Sequence, residues 1–213
     1  MNTHFFGSGS THIYIGMDDN SRSTAEEVYT LSRRLTAVDF CLIMFETENW
    51  NDDLSPWSAP AVFGNEAFGG KAKATLEALR NSVIPSVEAE FGTPRERFIA
   101  GYSLSGLFAL WCCYESALFN GAASCSGSLW FPKFAEYIEE RPVPNGKFYF
   151  SLGDKEAQTK NKAMSSVEDI TLKVYDRFFR ANSDCKFEFN GGGHFKDCEL
   201  RLAKGIAFLA ETF

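Results

Sequence analysis

The sequence predicts a three-layer α/β fold: a mostly parallel central sheet, helices on both of its faces, and no large lid. Three observations carry that expectation. The chain opens strand, helix, strand within its first fifty residues, which is a βαβ unit. An apolar run, Phe98-Ile99-Ala100-Gly101-Tyr102, then passes through Ser103 into Leu104-Ser105-Gly106-Leu107-Phe108-Ala109-Leu110-Trp111, apolar over helical length. This reads as a buried strand turning sharply into a buried helix. Short apolar runs and amphipathic stretches go on alternating to the end. The 213 residues suffice for one domain, 1–213, with a large core.

In chain order, Met1–Ser10 reads as a ragged start and His12–Gly16 as a short apolar strand. Met17–Ser23 is a polar turn. Ser23-Thr24-Ala25-Glu26 resembles a capping box, opening a helix to about Leu35 with Val28, Leu31 and Leu35 inward. Phe40-Cys41-Leu42-Ile43-Met44-Phe45 is apolar throughout, as a strand covered on both faces would be. Glu46–Gly70 is a long loop leaving that strand's carboxyl end, where open α/β sheets place their ligand crevice. Within it, Asn49-Trp50-Asn51-Asp52-Asp53-Leu54-Ser55-Pro56-Trp57 reads equally as a substrate wall and as an Ω-loop capped by Asp52 and Asp53. Phe63–Gly70 continues it as an aromatic, glycine-rich segment. Lys71–Glu90 has helical spacing through Leu76, Leu79, Val83, Ile84 and Val87, and Pro85 should kink or split it.

After the Ser103 turn, Gly121–Gly127 is a strand of small residues leading to Ser128-Leu129-Trp130-Phe131. Phe134–Glu140 is a short helix and Lys147–Leu152 a strand ending in Gly153-Asp154-Lys155-Glu156. A helix over Asn161–Arg180 follows, amphipathic through Met164, Val167, Ile170, Val174 and Phe178. Cys185–Phe189 is the last strand, running into Asn190-Gly191-Gly192-Gly193-His194-Phe195. A helix over Asp197–Phe213 closes the chain.

Composition excludes several functions. A net charge of −7 with no Lys/Arg cluster argues against nucleic acid and anionic membrane as partners. No apolar run has the length of a membrane span. Met1–Ser10 lacks a basic segment followed by an apolar one, so the cytoplasm is the expected compartment. The six cysteines then read as reduced thiols, with a Cys185–Cys198 bridge across the histidine loop as the lesser alternative. Only His4, His12 and His194 are present, without paired-histidine or C-x-x-C spacing, so no metal is expected. Neither G-x-G-x-x-G nor a Walker loop occurs, so no cofactor is expected.

The chemistry-bearing residues are Ser103, Glu156 and His194. Each falls just past the carboxyl end of an expected strand, and in a parallel sheet those ends share one edge. A serine hydroxyl is a weak nucleophile and needs a base within hydrogen-bond reach. Histidine is that base, and a carboxylate holds its tautomer and stabilises the cation that forms. At a strand-to-helix corner the positions two before and two after the serine must be small. Gly101 meets that demand, while Ser105 stands where glycine is usual and Gly106 arrives one place late. Taking Ser105 as nucleophile instead would put Leu107 against the strand, so Ser103 is preferred. For the acid, Glu156 is favoured and Asp154 is the alternative.

Gly-Tyr-Ser-Leu-Ser-Gly-Leu-Phe-Ala-Leu (101–110), Ser-Gly-Ser-Leu-Trp (126–130), Ser-Leu-Gly-Asp-Lys-Glu (151–156) and Gly-Gly-Gly-His-Phe (191–195) resemble the esterase D-like group of α/β hydrolases. That group includes siderophore esterases, feruloyl esterases and S-formylglutathione hydrolase. The resemblance covers most of the chain from Phe40 onward. It implies an α/β-hydrolase fold and a serine carboxylic ester hydrolase with Ser103 as nucleophile, His194 as base and Glu156 as the carboxylate. Residues 1–40 look shorter than the group's usual amino-terminal strand pair, so missing edge strands are expected.

The expected oxyanion donors are the N–H of Leu104 and one from the loop after Phe45, supplied by Glu48, Asn49 or Trp50. Asn49, Trp57 and Trp130 are the expected substrate-binding residues, and the expected partner is a small or medium acyl ester. A homo-oligomer is compatible with this reading. Two rivals stand beside it: a peptidase or amidase on the same three residues, and a degenerate hydrolase fold used for binding.

Overall fold

The computed structural model describes residues 1–62, 64–181 and 183–211. Seven strands form one sheet in the order β1-β3-β2-β6-β7-β8-β9, all parallel except β1. They are β1 (Thr3–Phe6), β2 (Thr11–Asp18), β3 (Cys41–Thr47), β6 (Glu96–Tyr102), β7 (Gly121–Cys125), β8 (Lys147–Gly153) and β9 (Asp184–Asn190). A second, two-stranded sheet pairs β4 (Ser58–Ala59) with β5 (Phe68–Gly69).

The apolar runs lack polar alternation because helices cover both faces, and successive side chains enter different cores. Ile13, Ile15, Leu42, Met44, Phe98, Ala100, Ala123 and Tyr149 pack on one side. Tyr14, Cys41, Ile43, Phe45, Ile99, Ala122, Phe148 and Phe150 pack on the other. The first side is closed by α1 (Arg22–Leu35) and α8 (Cys198–Ala210), which pack on each other. The second is closed by α3 (Ala72–Ala78), α4 (Ile84–Phe91), α5 (Leu104–Glu115) and α7 (Val167–Arg180). Two short helices, α2 (Trp50–Asp53) and α6 (Phe134–Glu139), lie in the connections.

Several expectations are corrected. The amino-terminal edge is present: β1 lies antiparallel on β3, with Thr3 opposite Phe45 and Phe6 opposite Leu42. Ser23 does not open a capping box; α1 begins at Arg22 after Ser21, with no side-chain cap. Its inner face is Ala25, Val28 and Ser32, and Leu35 is exposed. The loop 46–70 contains α2 and the β4–β5 pair, and Phe63 within it lies outside the described residues. The 71–90 helix is split as Pro85 demands, through a π-helical turn at Leu79–Val83. The helix expected from Asn161 starts at Val167, after a short 3₁₀ turn at Met164–Ser166. Residues 212–213 of the expected last helix lie outside the described residues.

The strand order reverses between β2 and β6, so the crevice of the sheet opens at their carboxyl ends. Ser103 follows β6 at that point.

Candidate active site

Ser103 sits between β6 and α5 at φ 57° and ψ −122°, a conformation that costs a non-glycine residue free energy and needs support from its surroundings. That support is local. Its N–H donates to the Cys125 carbonyl at 3.1 Å, and its own carbonyl accepts from the N–H groups of Leu107 at 3.1 Å and Ser128 at 3.0 Å.

Gly101 has to be glycine, since a Cβ there would run into the backbone carbonyl of Ser105. Gly106 fills a different role: a Cβ on it would lie 2.9 Å from the Gly101 oxygen and 3.1 Å from the Gly127 Cα. It lets α5 approach both β6 and the loop after β7. Ser105 fits at the plus-two position because Gly101, lacking a Cβ, leaves room for its hydroxyl against the strands, where it donates to the Gly16 carbonyl of β2 at 2.9 Å. It is 1% exposed.

Three strand ends bring the other groups together. His194, after β9, has Nε2 3.0 Å from the Ser103 hydroxyl oxygen and Nδ1 2.8 Å from Glu156 Oε2. Glu156 lies in the turn after β8, and its second oxygen accepts from the Ser126 hydroxyl (2.7 Å), the Gly153 N–H (2.6 Å) and Arg201 Nη1 (3.0 Å). Burial alone would raise this carboxyl above its ordinary pKa. Hydrogen bonds from His194, Ser126 and Gly153 outweigh it and hold the group below that value, so it stays ionised. Asp154, the alternative acid, accepts the Gly192 N–H at 2.7 Å and so braces the histidine loop.

The loop after β3 separates the candidate oxyanion donors. Asp53 Oδ2 accepts the N–H groups of both Glu48 (3.0 Å) and Asn49 (2.9 Å). The Asn49 side chain caps α2 by accepting from the Asp52 N–H at 2.9 Å. Trp50, the first residue of α2, has its N–H unengaged among the described residues, as does Leu104, the first residue of α5. Asp52 pairs with Lys71 at 2.9 Å. Asp52 and Asp53 are therefore structural, while Asn49 and Trp50 border the cleft.

That cleft has a volume of about 680 Å³, and Ser103, Ser128 and His194 line it. Asp18, Glu48 and Glu66 give it three carboxylates, Trp50, Trp130, Met164 and Phe195 give it apolar surface, and neither Lys nor Arg lines it. Trp130 thus lines the cleft. Trp57 does not: it borders a separate surface depression with Tyr137 and Arg141, packs at a tilt against Phe131 and Tyr137, and donates Nε1–H to the Pro132 carbonyl at 2.9 Å. Its indole is anchored by packing away from the serine.

The sequence reading missed Ser126, Ser128, Tyr102 and Arg201. The Ser128 and Ser103 hydroxyl oxygens lie 3.4 Å apart, and the Tyr102 hydroxyl donates to the His194 carbonyl. Among the described residues, no three His, Cys, Asp or Glu come together as a group able to hold a metal ion, and no helix is long and apolar enough to cross a membrane.

A serine on a strand-to-helix corner, hydrogen-bonded to a histidine that is itself bonded to a buried carboxylate, at the switch point of a mostly parallel sheet, is the layout of the serine-hydrolase class of α/β folds. Solved structures agree on the fold. An IroE-like serine hydrolase from Shewanella oneidensis superposes with a TM-score of 0.75 at 18% identity, over 94% of this chain and 70% of that one. The siderophore hydrolase EstA from Aspergillus nidulans gives 0.70 at 19%, over 95% and 83%. An enterochelin esterase from Shigella flexneri gives 0.74 at 15%, over 97% of this chain but 54% of that one. No curated protein matches the sequence. The family model described as "Putative esterase" matches residues 16–185, and the chain belongs to that family. It is an esterase.

Proposed function

We propose that the chain is a one-domain serine carboxylic ester hydrolase working through an acyl-enzyme on small or medium acyl esters. The observation that carries this reading is the shared histidine, with one ring nitrogen 3.0 Å from the Ser103 hydroxyl and the other 2.8 Å from Glu156. His194 takes the Ser103 proton as Oγ attacks the ester carbonyl. Glu156 holds the ring in the required tautomer and stabilises the imidazolium. The N–H groups of Leu104 and Trp50 receive the oxyanion; one such donor is worth about 10²–10³ in kcat. The intermediate collapses, the C–O bond to the alcohol breaks, and His194 returns the proton to the leaving oxygen. Water then attacks the acyl-serine, with His194 again as base, and releases the acid.

Trp130 and Asn49 border the substrate. The three carboxylates of the cleft, unopposed by any lining Lys or Arg, favour neutral or cationic esters. The test is a fluorophosphonate probe with mapping of the labelled peptide. Labelling at Ser103, abolished by Ser103→Ala and by His194→Ala in folded protein, is the expected result. A folded wild-type protein that does not label would refute the reading in favour of a binding role.

A further inference from the structure

Four residues of the histidine loop, Gly191-Gly192-Gly193-His194, include three without a side chain, so nothing in their own sequence orders them. A run of glycines loses more conformational freedom on folding than any other sequence. What orders the loop is its backbone polar groups, and two of its carbonyls are held by one side chain. Arg201, in the second turn of α8, is 1% exposed and heads the largest fully buried side chains. Its Nη2 donates to the carbonyls of Gly193 (3.0 Å) and Gly191 (3.4 Å). Its Nη1 donates to Glu156 Oε1 (3.0 Å), the Tyr102 hydroxyl (3.2 Å) and the Ser126 hydroxyl (3.3 Å). Ser126 in turn donates to Glu156, and Tyr102 to the His194 carbonyl.

We propose that Arg201 is the positioning residue of the site, one planar guanidinium that fixes the acid and the base against each other. The inference rests on the proposed roles of Ser103, His194 and Glu156. Its reasoning is geometric. Glu156 must offer one oxygen to His194, so its other oxygen has to be saturated from behind, and Arg201 completes that set. The same plane spans to the loop carrying His194, so the distance between carboxylate and imidazole is set by a rigid group with two separated donor nitrogens. A lysine has one donor centre and cannot bridge both sides. Gly153 makes the approach possible, since a Cβ there would lie 2.9 and 3.0 Å from the two terminal nitrogens. The guanidinium also adds a positive charge beside a carboxylate that has only 4% of its side chain exposed and that its other hydrogen bonds already keep ionised.

Arg201→Lys and Arg201→Met test this in the full chain, with folding followed by circular dichroism. A misplacement of about 1 Å costs about 10²-fold in rate. The expectation is therefore a kcat about 10²-fold lower in folded Arg201→Lys, a KM within about threefold of wild type, and phosphonate labelling of Ser103 slowed in parallel. In Arg201→Met the uncompensated Glu156 charge also stabilises the imidazolium, so the acidic limb of the kcat/KM profile moves to higher pH, which a merely structural arginine would not cause. A folded Arg201→Lys with kcat within threefold of wild type would overturn the proposal. If neither variant folds, the wild type decides: separate Nη resonances from a hindered Arg201 guanidinium support the bridge, and one averaged signal overturns it. Wild-type protein that fails to label at Ser103 sinks the esterase mechanism itself, whereas labelled wild type with unaffected variants sinks only the role of Arg201.

Discussion

Replacing Ser105 by alanine separates two serines that lie two positions apart. The Ser105 hydroxyl is buried and donates to the Gly16 carbonyl at 2.9 Å. Removing it leaves that carbonyl, near the end of β2, without this donor. An orphaned buried acceptor costs about 1–3 kcal/mol. For a chain of this size each kcal/mol moves Tm by roughly 2–4 °C, so a central loss of about 2 kcal/mol lowers Tm by about 4–8 °C. Ser105→Gly should cost up to about 1 kcal/mol more, through the helix propensity of glycine. Neither change touches Ser103, His194 or Glu156, so kcat on a p-nitrophenyl ester should stay within about twofold of wild type, since removing a remote contact takes nothing from the transition state. Scanning calorimetry and steady-state kinetics on the same preparations measure both. A stable Ser105→Ala protein with kcat reduced a thousandfold would refute the reasoning and move the nucleophile to Ser105. The same geometry makes Gly101→Ala damaging whatever stands at 105, because the clash is with the Ser105 backbone.

Three further expectations follow from the site and the core. Asp53→Ala frees the N–H groups of Glu48 and Asn49 and loosens the turn that aims the Trp50 N–H. It should lower kcat by about tenfold or more, below the 10²–10³ of a lost oxyanion donor, whereas Asp52→Ala, which breaks a partly exposed pair with Lys71, should leave kcat alone. Matched esters differing only in acyl charge should rank cationic above anionic by about tenfold in kcat/KM at low salt, narrowing as salt screens the three carboxylates; the reverse order would contradict the cleft's lining. His12 is fully buried and, among the described residues, neither ring nitrogen has a hydrogen-bond partner. Burial first, then Arg97, lowers its pKa from 6.5, so the folded protein resists its protonation. Its contribution to stability is complete above pH 6.5 and is lost as pH falls from there through the lowered folded value. The fall in Tm between pH 7 and pH 5 should be shallower in His12→Leu than in wild type, and equal slopes would remove His12 as a cause.

The central strands were legible because burial on both faces leaves unbroken apolar runs, as in Phe40–Phe45. The corner at Ser103 was legible because small residues have to sit between such a run and a buried helix. β1 was not: four residues ending in Phe5-Phe6 gain strand form only by pairing with β3. The inner face of α1 was misjudged because hydrophobicity selects Leu31 and Leu35, while close packing on α8 selects Ala25 and Ser32. Trp57 and Trp130 look alike in sequence, and only the fold sends one to the cleft and the other to a packed depression. Arg201 reads as a surface residue of an amphipathic helix. One signal was present: 201, 205 and 209 fall at four-residue spacing on the inner face, so an arginine stood on the buried stripe. Its partners lie 8–10 residues away in the glycine loop and 45–99 residues away elsewhere, beyond any local pattern.

The order of these parts along the chain also bears on when the proposed site is assembled. Ser103 and His194 are separated by 91 positions, which at about 5–20 residues per second is roughly 5–18 s of translation. On the proposed roles, a nascent chain carries its nucleophile through that interval with no base. Even with His194 made, the loop that holds it waits for α8, the last helix described, which crosses the middle of the sheet against β2, β6, β7 and β8 and delivers Arg201. On the proposed roles, hydrolysis therefore waits until α8 has been made and has docked on the sheet.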